Sequence, residues 1–271
     1  MRDRHFKIEG GRTLRYTGGS KWKKHKLMMK NIKVQPHLPE TAKFTPEILW
    51  NYLRKYNKVV LKPVIGRKGR NILKVSRLGE SQYEIHLKNK KIIFTSEKET
   101  LAYIEKFIRN RKHILQRTYI VQRYIDLATY ENKPFDIRVI VQKRKESREW
   151  HVTGMVSKVA GKGFVVTNDR SGGGIILPVT SALRKANDDI ARNRKEIMKE
   201  IERVVLIATK ELASYWKKQT IMGLDVGIDR EGHVWIIEGN LCPGIKSFYK
   251  LNDKTMYRRI KNIRRENKKI I

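Results

Sequence analysis

The chain has 271 residues, and its 61 Lys and Arg against 27 Asp and Glu give a formal net charge of +34. Hydrophobic residues make up 39% of the sequence, which is enough for a globular core and excludes a chain disordered throughout. No apolar run approaches the length of a membrane span and the first residues lack a signal-peptide core, so we expect a soluble, cytoplasmic protein. The single cysteine, Cys242, excludes an intramolecular disulfide. A charge of this size favours polyanionic partners such as nucleotides, nucleic acid or an acidic polypeptide.

Region 1–40 predicts a basic N-terminal segment and a short helix. The helix is expected at Lys21–Asn31, where Trp22, Leu27 and Met28 lie on or near one face. The residues before it are glycine-punctuated and show no apolar periodicity, so we expect a poorly packed extension there.

Region 41–118 predicts a first lobe that mixes helices and strands. Thr45 and Pro46 are a helix N-cap and a first-turn proline, in the order that opens a helix. Strands are expected at Val59–Lys62, Ile72–Ser76, Tyr83–Leu87 and Lys91–Phe94, and a helix after the cap residue Ser96.

A glycine-punctuated basic loop, Gly66–Asn71, follows the first of these strands. Gly66 and Gly69 leave backbone N–H groups accessible to surround a phosphate, and Arg67 and Lys68 add positive charge. An ordinary basic hairpin turn has the same composition, so the loop alone does not decide between the two interpretations.

Region 119–245 predicts a second lobe, and 246–271 a basic C-terminal tail. The lobe begins with a strand and contains a glycine-rich polar stretch, 158–174. Strands are expected at Tyr119–Ile125, Phe135–Gln142, Trp150–Val159, Ile221–Ile228 and His233–Glu238, and one long helix at Asp188–Trp216.

One pair of polar residues in these strands suggests chemistry. Asp136 and Arg138 share one face of their strand, an arrangement that is costly in a core unless it is paired or functional. A salt-bridged surface strand is the alternative.

The last two strands can form a hairpin that brings Asp225 alongside Glu238 and Asn240. Two carboxylates and an amide oxygen suit a hard cation, most plausibly Mg²⁺, with Mn²⁺ as the alternative. An ordinary hairpin with a polar face would show the same residues.

Two segments resemble motifs of one enzyme superfamily. The run IIEGNLCPG at Ile236–Gly244 resembles the E-x-N-x-x-P-G signature of ATP-grasp ligases, and Asp225 stands where that superfamily has its upstream metal-binding acid. Leu61-Lys62-Pro63 with the following loop resembles its pattern K-P-x-x-G-x-x-G. The segments HLPET, FDIRVIVQK and VTGMVSKVAGKG are similar to the YheC/YheD-like subgroup associated with endospore coats.

The resemblance implies an α+β ATP-grasp fold, in which two α+β lobes hold the nucleotide between them. The preceding α/β domain found in many relatives is expected to be mostly absent, because only about twenty residues precede Lys21. By the same resemblance the protein is expected to be spore-associated.

The resemblance also assigns roles to residues. Arg138, Lys62 and Asn168 are the expected catalytic residues. The cofactor-binding residues are expected to be Lys21, Lys62, Gly66, Arg67, Lys68, Gly69, Gln122, Arg123, Tyr124, Ile125, Asp126, Asp136 and Lys158. Gln122–Ile125 would form the hinge beside the adenine, with a plain buried strand as the alternative, and Asp126 would hold the ribose. Asp225, Glu238 and Asn240 would bind the metal.

The function implied is that of an ATP-dependent ligase. With Mg²⁺ and ATP, a carboxylate would be activated as an acyl phosphate and an amine would displace the phosphate. The net charge suggests that one of the two substrates is anionic or polymeric. Two alternatives stay open: an inactive ATP-grasp scaffold that binds a polyanion, and a kinase of the same fold.

Overall fold

The computed structural model describes residues 5–7, 13–15, 19–66, 69–111, 117–161 and 174–269. The helices are α1 Lys21–Met28, α2 Pro46–Tyr56, α3 Glu97–Arg109, α4 Val179–Arg184, α5 Asp188–Arg192, α6 Arg194–Tyr215, α7 Lys246–Tyr249 and α8 Thr255–Lys269. The strands are β1 His5–Lys7, β2 Thr13–Arg15, β3 Thr41–Lys43, β4 Lys58–Pro63, β5 Leu73–Arg77, β6 Tyr83–Leu87, β7 Lys90–Phe94, β8 Tyr119–Arg123, β9 Thr129–Tyr130, β10 Lys133–Gln142, β11 His151–Val159, β12 Ile175–Leu177, β13 Ile221–Ile228 and β14 Val234–Asn240. No helix within these ranges is both long and apolar enough to cross a membrane.

The larger lobe is built on an antiparallel sheet in the order β12-β11-β10-β13-β14, and β9 pairs with one end of β10. Alternate residues of β10 belong to different faces of this sheet. Phe135, Ile137 and Val139 enter the core that the sheet shares with α4, α5 and α6, whereas Asp136 and Arg138 line the opposite side. The strand therefore separates a dry core from a charged face.

The smaller lobe is a second antiparallel sheet in the order β3-β8-β4-β5-β6-β7. Its core contains residues of α2 and α3, including the fully buried Leu49 and Ile104. The predicted caps are confirmed: the Thr45 hydroxyl accepts a bond from the Ile48 N–H, and the Ser96 hydroxyl caps α3 in the same way. The two sheets confirm the α+β prediction with two lobes.

The N-terminal helix packs on the larger lobe, although the smaller lobe follows it in sequence. Leu27 and Met28 of α1 are buried in the core of the larger lobe, and Val34 and Leu38 of the following turn join them. This packing places the lysines of α1 next to β14.

The prediction of one long helix at Asp188–Trp216 is wrong, because the segment forms two helices, α5 and α6. Asn187 caps α5 by accepting a bond from the Ile190 N–H at 2.9 Å, and the chain turns at Asn193 before α6 begins. The apolar spacing continues across the break because α5 and α6 bury residues in one core. Apolar periodicity alone therefore does not reveal the turn.

Two further boundaries differ from the sequence-based division. β8 pairs with β3 and β4, so by sheet membership the change of lobe falls after Arg123 and not before Tyr119. The segment expected as a basic tail forms α7 and α8. In α8 Ile260 is fully buried against a cluster with Ile140, Val156 and Phe248.

Replacing Ile260 with alanine should lower the free energy of unfolding by about 2–4 kcal/mol, because it leaves a cavity between α8 and the sheet. Chemical denaturation measures this change. The matched control is Ile32→Ala, since Ile32 is 77% exposed and its loss should change stability by less than about 0.5 kcal/mol. Equal stability of the two variants would show that α8 is not docked on the sheet.

Candidate active site

A cleft of about 240 Å³ lies between the two sheets. Of the residues predicted from the sequence, the cleft is lined by Lys21, Lys62, Gly66, Gly69, Gln122, Arg123, Tyr124, Ile125, Asp136, Arg138, Lys158, Asp225, Glu238 and Asn240. Residues that are distant in sequence and come from both lobes thus meet in one cavity.

Register across three strands sets the charged floor of this cleft. Arg138 of β10 lies opposite Asp225 of β13, and Asp225 lies opposite Glu238 of β14. The register of β13 and β14 shifts beside this pair, which leaves Ile237 as an extra residue in β14. Ile237 and Glu238 therefore both border the cleft although they are adjacent in sequence, and Asn240 faces it as well.

The Asp225 carboxylate is held by three side chains. Arg138 binds it with two bonds, Nε to Oδ1 at 2.7 Å and Nη2 to Oδ2 at 2.8 Å. Lys158 Nζ lies 3.1 Å from Oδ1, and Asn240 Nδ2 donates to Oδ2 at 3.1 Å. Burial acts to raise the pKa of Asp225, but the attraction of Arg138 and Lys158 outweighs burial and keeps the pKa well below its usual range. The carboxylate is therefore ionised at neutral pH.

Lys158 also joins Asp225 to a second carboxylate. Its Nζ lies 2.9 Å from Asp136 Oδ1, and Lys158 and Asp136 are direct partners across β11 and β10. Burial alone would lower the pKa of Lys158, yet Asp136 and Asp225 raise it, so this lysine stays charged.

Glu238 is paired with α1. Lys21 Nζ lies 3.1 Å from Glu238 Oε1, and Lys24 Nζ lies 3.7 Å from the same oxygen. The two lysines are three positions apart and so lie on one side of the helix, which Ser20 caps. Burial acts to raise the pKa of Glu238, but the attraction of Lys21 and Lys24 outweighs burial and lowers the pKa below its usual value.

Lys24 is a site residue that sequence analysis missed. It is only 2% exposed, and burial lowers its pKa while Glu238 opposes the shift. Its spacing from Lys21 is the sequence signal that could have revealed it, once Lys21 was placed in the site.

Lys62 of β4 faces the cleft from the smaller lobe. Its Nζ donates to Gln122 Oε1 at 2.5 Å, and Gln122 Nε2 in turn donates to Thr41 Oγ1 at 2.9 Å. Burial lowers the pKa of Lys62 to about 8, with partial compensation from Glu238. Its ammonium group is thus positioned by Gln122 and is charged at neutral pH.

Four predicted residues are not part of the described cleft lining. Asp126 is exposed and pairs with Lys58 at 3.1 Å, so it sits outside the cleft lining. Arg67, Lys68 and Asn168 lie outside the residues that the structure describes, and their roles stay predictions. Sequence analysis also missed the apolar part of the lining, which consists of Val60, Ile72, Leu127, Pro134 and Ile237.

The charges of the cluster favour an anion that carries a cation. The cleft lining includes six positive groups, Lys21, Lys62, Arg70, Arg123, Arg138 and Lys158, and three negative ones, Asp136, Asp225 and Glu238. This excess of positive groups attracts an anion such as a nucleoside triphosphate with one bound divalent cation, whose charge is about −2.

The donor set fits a hard divalent cation. Asp225, Glu238 and Asn240 present carboxylate and amide groups to the cleft, and oxygen donors of this kind suit Mg²⁺. Across the described ranges no group of three or more His, Cys, Asp or Glu is placed to hold a metal.

Comparison with known proteins identifies the family. Residues 12–264 match the sequence model of the YheC/D like ATP-grasp family. The chain belongs to this family. It is 30% identical over 234 residues to the endospore coat-associated protein YheD of Bacillus subtilis (strain 168), and this alignment covers 84% of the chain and 49% of YheD.

Two further proteins extend the comparison. The chain is 26% identical over 237 residues to the endospore coat-associated protein YheC of Bacillus subtilis (strain 168), covering 84% of the chain and 60% of YheC. It thus spans about half the length of YheD and three-fifths of YheC. The D-Ala:D-Ser ligase VanG of Enterococcus faecalis superposes with a TM-score of 0.53 at 16% identity, over 89% of the chain and 57% of VanG. At that identity the likeness shows the fold alone, and it confirms the predicted ATP-grasp fold.

ATP affinity should fall as pH rises above about 8, because Lys62 then loses the charge that attracts phosphate. The loss should approach about tenfold per pH unit, measured by calorimetric titration of ATP between about pH 7 and about pH 9.5. Lys62→Arg is the control, since arginine stays charged over this range and should flatten the profile. The same slope in both proteins would assign the titration to another group.

Proposed function

We propose that the chain is an ATP-dependent ligase that joins a carboxylate to an amine through an acyl phosphate. The observation that carries this proposal is the charged row Arg138–Asp225–Glu238, which faces Lys62 across the cleft. Phosphoryl transfer is catalysed mainly by positioning and by stabilisation of charge. A cleft with fixed cations from both lobes supplies both.

The nucleotide base is proposed to lie at the apolar part of the cleft. Val60, Ile72, Leu127 and Ile237 line it beside the hinge Gln122–Ile125, and they can enclose a flat ring. The phosphates would then extend towards Lys62 and Lys21. Asp126 as the ribose-binding acid stays a prediction, since in this structure it pairs with Lys58.

Asp225, Glu238 and Asn240 are the proposed ligands of Mg²⁺, with Mn²⁺ as the alternative. When bound, the ion would neutralise phosphate charge and orient the transferred group. Glu238 must then exchange its bonds to Lys21 and Lys24 for the ion. Lys21 and Lys24 would then be available to bind the phosphates, which are negatively charged like the Glu238 carboxylate.

Arg138 is the proposed catalytic arginine. Two of its five N–H donors bind Asp225, so others can reach an oxygen of the transferred phosphoryl group. In the first step a carboxylate oxygen attacks the γ-phosphorus and ADP leaves. In the second step the amine attacks the acyl carbon, and phosphate leaves with that oxygen.

The metal-binding set favours an enzyme over an inactive scaffold that binds a polyanion, since a scaffold needs no such ligands. A kinase would use the same cleft and stop after the first step, so amide formation separates the two. The spore-coat association named for YheD and YheC is extended to this chain as part of the proposal.

Asn240→Ala should reduce Mg²⁺-dependent ATP consumption by at least about tenfold, because it removes one oxygen donor of the metal site. Within the described ranges the side chain of Asn240 makes one hydrogen bond, to Asp225, and the residue is half-buried, so the melting temperature should change little. Asn262→Ala on the exposed face of α8 is the matched control and should keep full activity. Unchanged ATP consumption in Asn240→Ala would remove the metal assignment.

The reaction type is tested with ¹⁸O-labelled acidic peptides and a pool of amines in the presence of Mg·ATP. We expect ADP as the nucleotide product, ¹⁸O in the released phosphate, and a joined product lighter than its two substrates by one water. Mass spectrometry detects all three.

Other products would contradict the acyl-phosphate route in distinct ways. AMP and pyrophosphate would indicate adenylation of the carboxylate. Unlabelled phosphate would indicate hydrolysis of ATP by water, and a stable phosphorylated acceptor would indicate a kinase.

A further inference from the structure

Among the longer helices, the excess of positive charge is greatest on α1 and α8. The helices that cover the backs of the lobes are nearly neutral: α3 has three basic and three acidic residues, and α6 has five basic and four acidic. By contrast, α1 has four lysines and no acid, and α8 has seven basic residues and one acid. The charge of α1 is accounted for in part by Glu238, whereas that of α8 calls for another explanation.

Four contacts fix α8 beside the site. Ile260 is fully buried, and Gln142 Nε2 donates to its carbonyl oxygen at 3.2 Å. Arg264 Nη2 donates to the carbonyl oxygen of Pro243 at 2.9 Å, in the loop that follows Asn240. Asn267 Nδ2 donates to the carbonyl oxygen of Lys143 at 3.0 Å. The helix therefore has one defined rotation about its own axis.

That rotation assigns most of its charge to one side. Successive residues turn by about 100°, so Arg264 lies about 40° from the buried Ile260, on the side of the Pro243 loop. Four exposed residues, which we call the basic stripe, lie about 80–160° from Ile260 in the same direction: Arg258, Lys261, Arg265 and Lys268. Arg259 and Glu266 lie in the opposite direction, where Glu266 pairs with Arg144.

We propose that the basic stripe binds an acidic polypeptide that supplies the carboxylate substrate. This inference rests on the proposed ligase function. The stripe runs for about 15 Å along α8 and carries four positive charges. An extended acidic chain repeats its side chains on one face about every 7 Å, so two or three of its carboxylates can pair with the stripe at once.

The proposed reaction favours a polypeptide over a nucleic acid. The substrate must present a carboxylate near Arg138. In an acidic polypeptide, carboxylates serve both as the groups that bind the stripe and as the group that reacts. A nucleic acid carries negative charge that would pair with the stripe, but it has no carboxylate to activate. The stripe begins about 40° beyond Arg264, which binds the loop after Asn240, so a chain bound there would lie on the same side of α8 as that loop.

The test compares two variants that each lose four positive charges. The stripe variant is R258Q/K261Q/R265Q/K268Q. The control variant is K43Q/K90Q/K98Q/K106Q, whose lysines are exposed and belong to the smaller lobe, whereas α8 packs on the larger one. Neither variant alters a residue assigned to the cleft, so the melting temperature and ATP affinity should stay unchanged in both.

Binding of fluorescently labelled poly-L-glutamate is measured by anisotropy without ATP. The stripe variant should bind about tenfold more weakly, as expected for the loss of two or three surface ion pairs, and its affinity should depend less on salt. The control variant should lose far less. Equal losses in the two variants, or no binding by the unmodified chain, would overturn the docking surface.

A second measurement tests the assignment as a substrate site. Poly-L-glutamate should accelerate ADP release by the unmodified chain and by the control variant, but not by the stripe variant. No acceleration in the unmodified chain would overturn the substrate assignment. Poly-dT of the same length that displaces poly-L-glutamate with equal or higher affinity would assign the stripe to nucleic acid instead. Basal ATP consumption and the Asn240→Ala result test the ligase function separately.

Discussion

The buried carboxylate of Asp225 is the constraint on which the site depends. A carboxylate removed from water is costly unless cations and hydrogen bonds replace its solvation. Arg138, Lys158 and Asn240 provide that replacement from three strands, and they can do so only when β10 and β14 keep their register with β13 and β11 keeps its register with β10. The strand register of the sheet therefore also determines where the charged groups of the cleft lie.

The same reasoning explains why α1 packs where it does. Glu238 is the partner of Asp225 across the hairpin, and without nearby cations two carboxylates would repel each other. Leu27 and Met28 anchor α1 in the core of the larger lobe, so that Lys21 and Lys24 reach Glu238. A helix near the start of the chain thus completes a site formed near its end.

In this structure these cations act as counterions to Asp225 and Glu238, and in the proposed reaction they bind phosphate. The exchange needs no large rearrangement of charge, because carboxylate and phosphate oxygens accept the same kind of bond. It also gives Lys62 a special position. Lys62 is buried, and the partner that the structure describes for its ammonium group is the neutral amide of Gln122, so its pKa falls to about 8 and it loses its charge at a lower pH than an exposed lysine.

The sequence by itself determined the elements with strong local signals and the residues within recognisable motifs. The caps at Thr45 and Ser96 follow from short-range hydrogen bonding, and the hairpin with Asp225 and Glu238 follows from alternation along two adjacent strands. The family motifs, in order along the chain, added the fold. These features depend on residues that are close in sequence, which is why a pattern can predict them.

Only the tertiary structure decided the features that rest on distant contacts. Lys24 enters the site because α1 packs on β14, and the basic tail becomes a docked helix because Ile260 completes a cluster with strands more than a hundred residues earlier. The bulge at Ile237 and the break at Asn193 also escaped prediction, since the apolar pattern continues through the break and the bulge appears only in the pairing with β13. Local patterns report which face of an element is apolar. They do not report which neighbour covers it, because that choice depends on the packing of the whole chain.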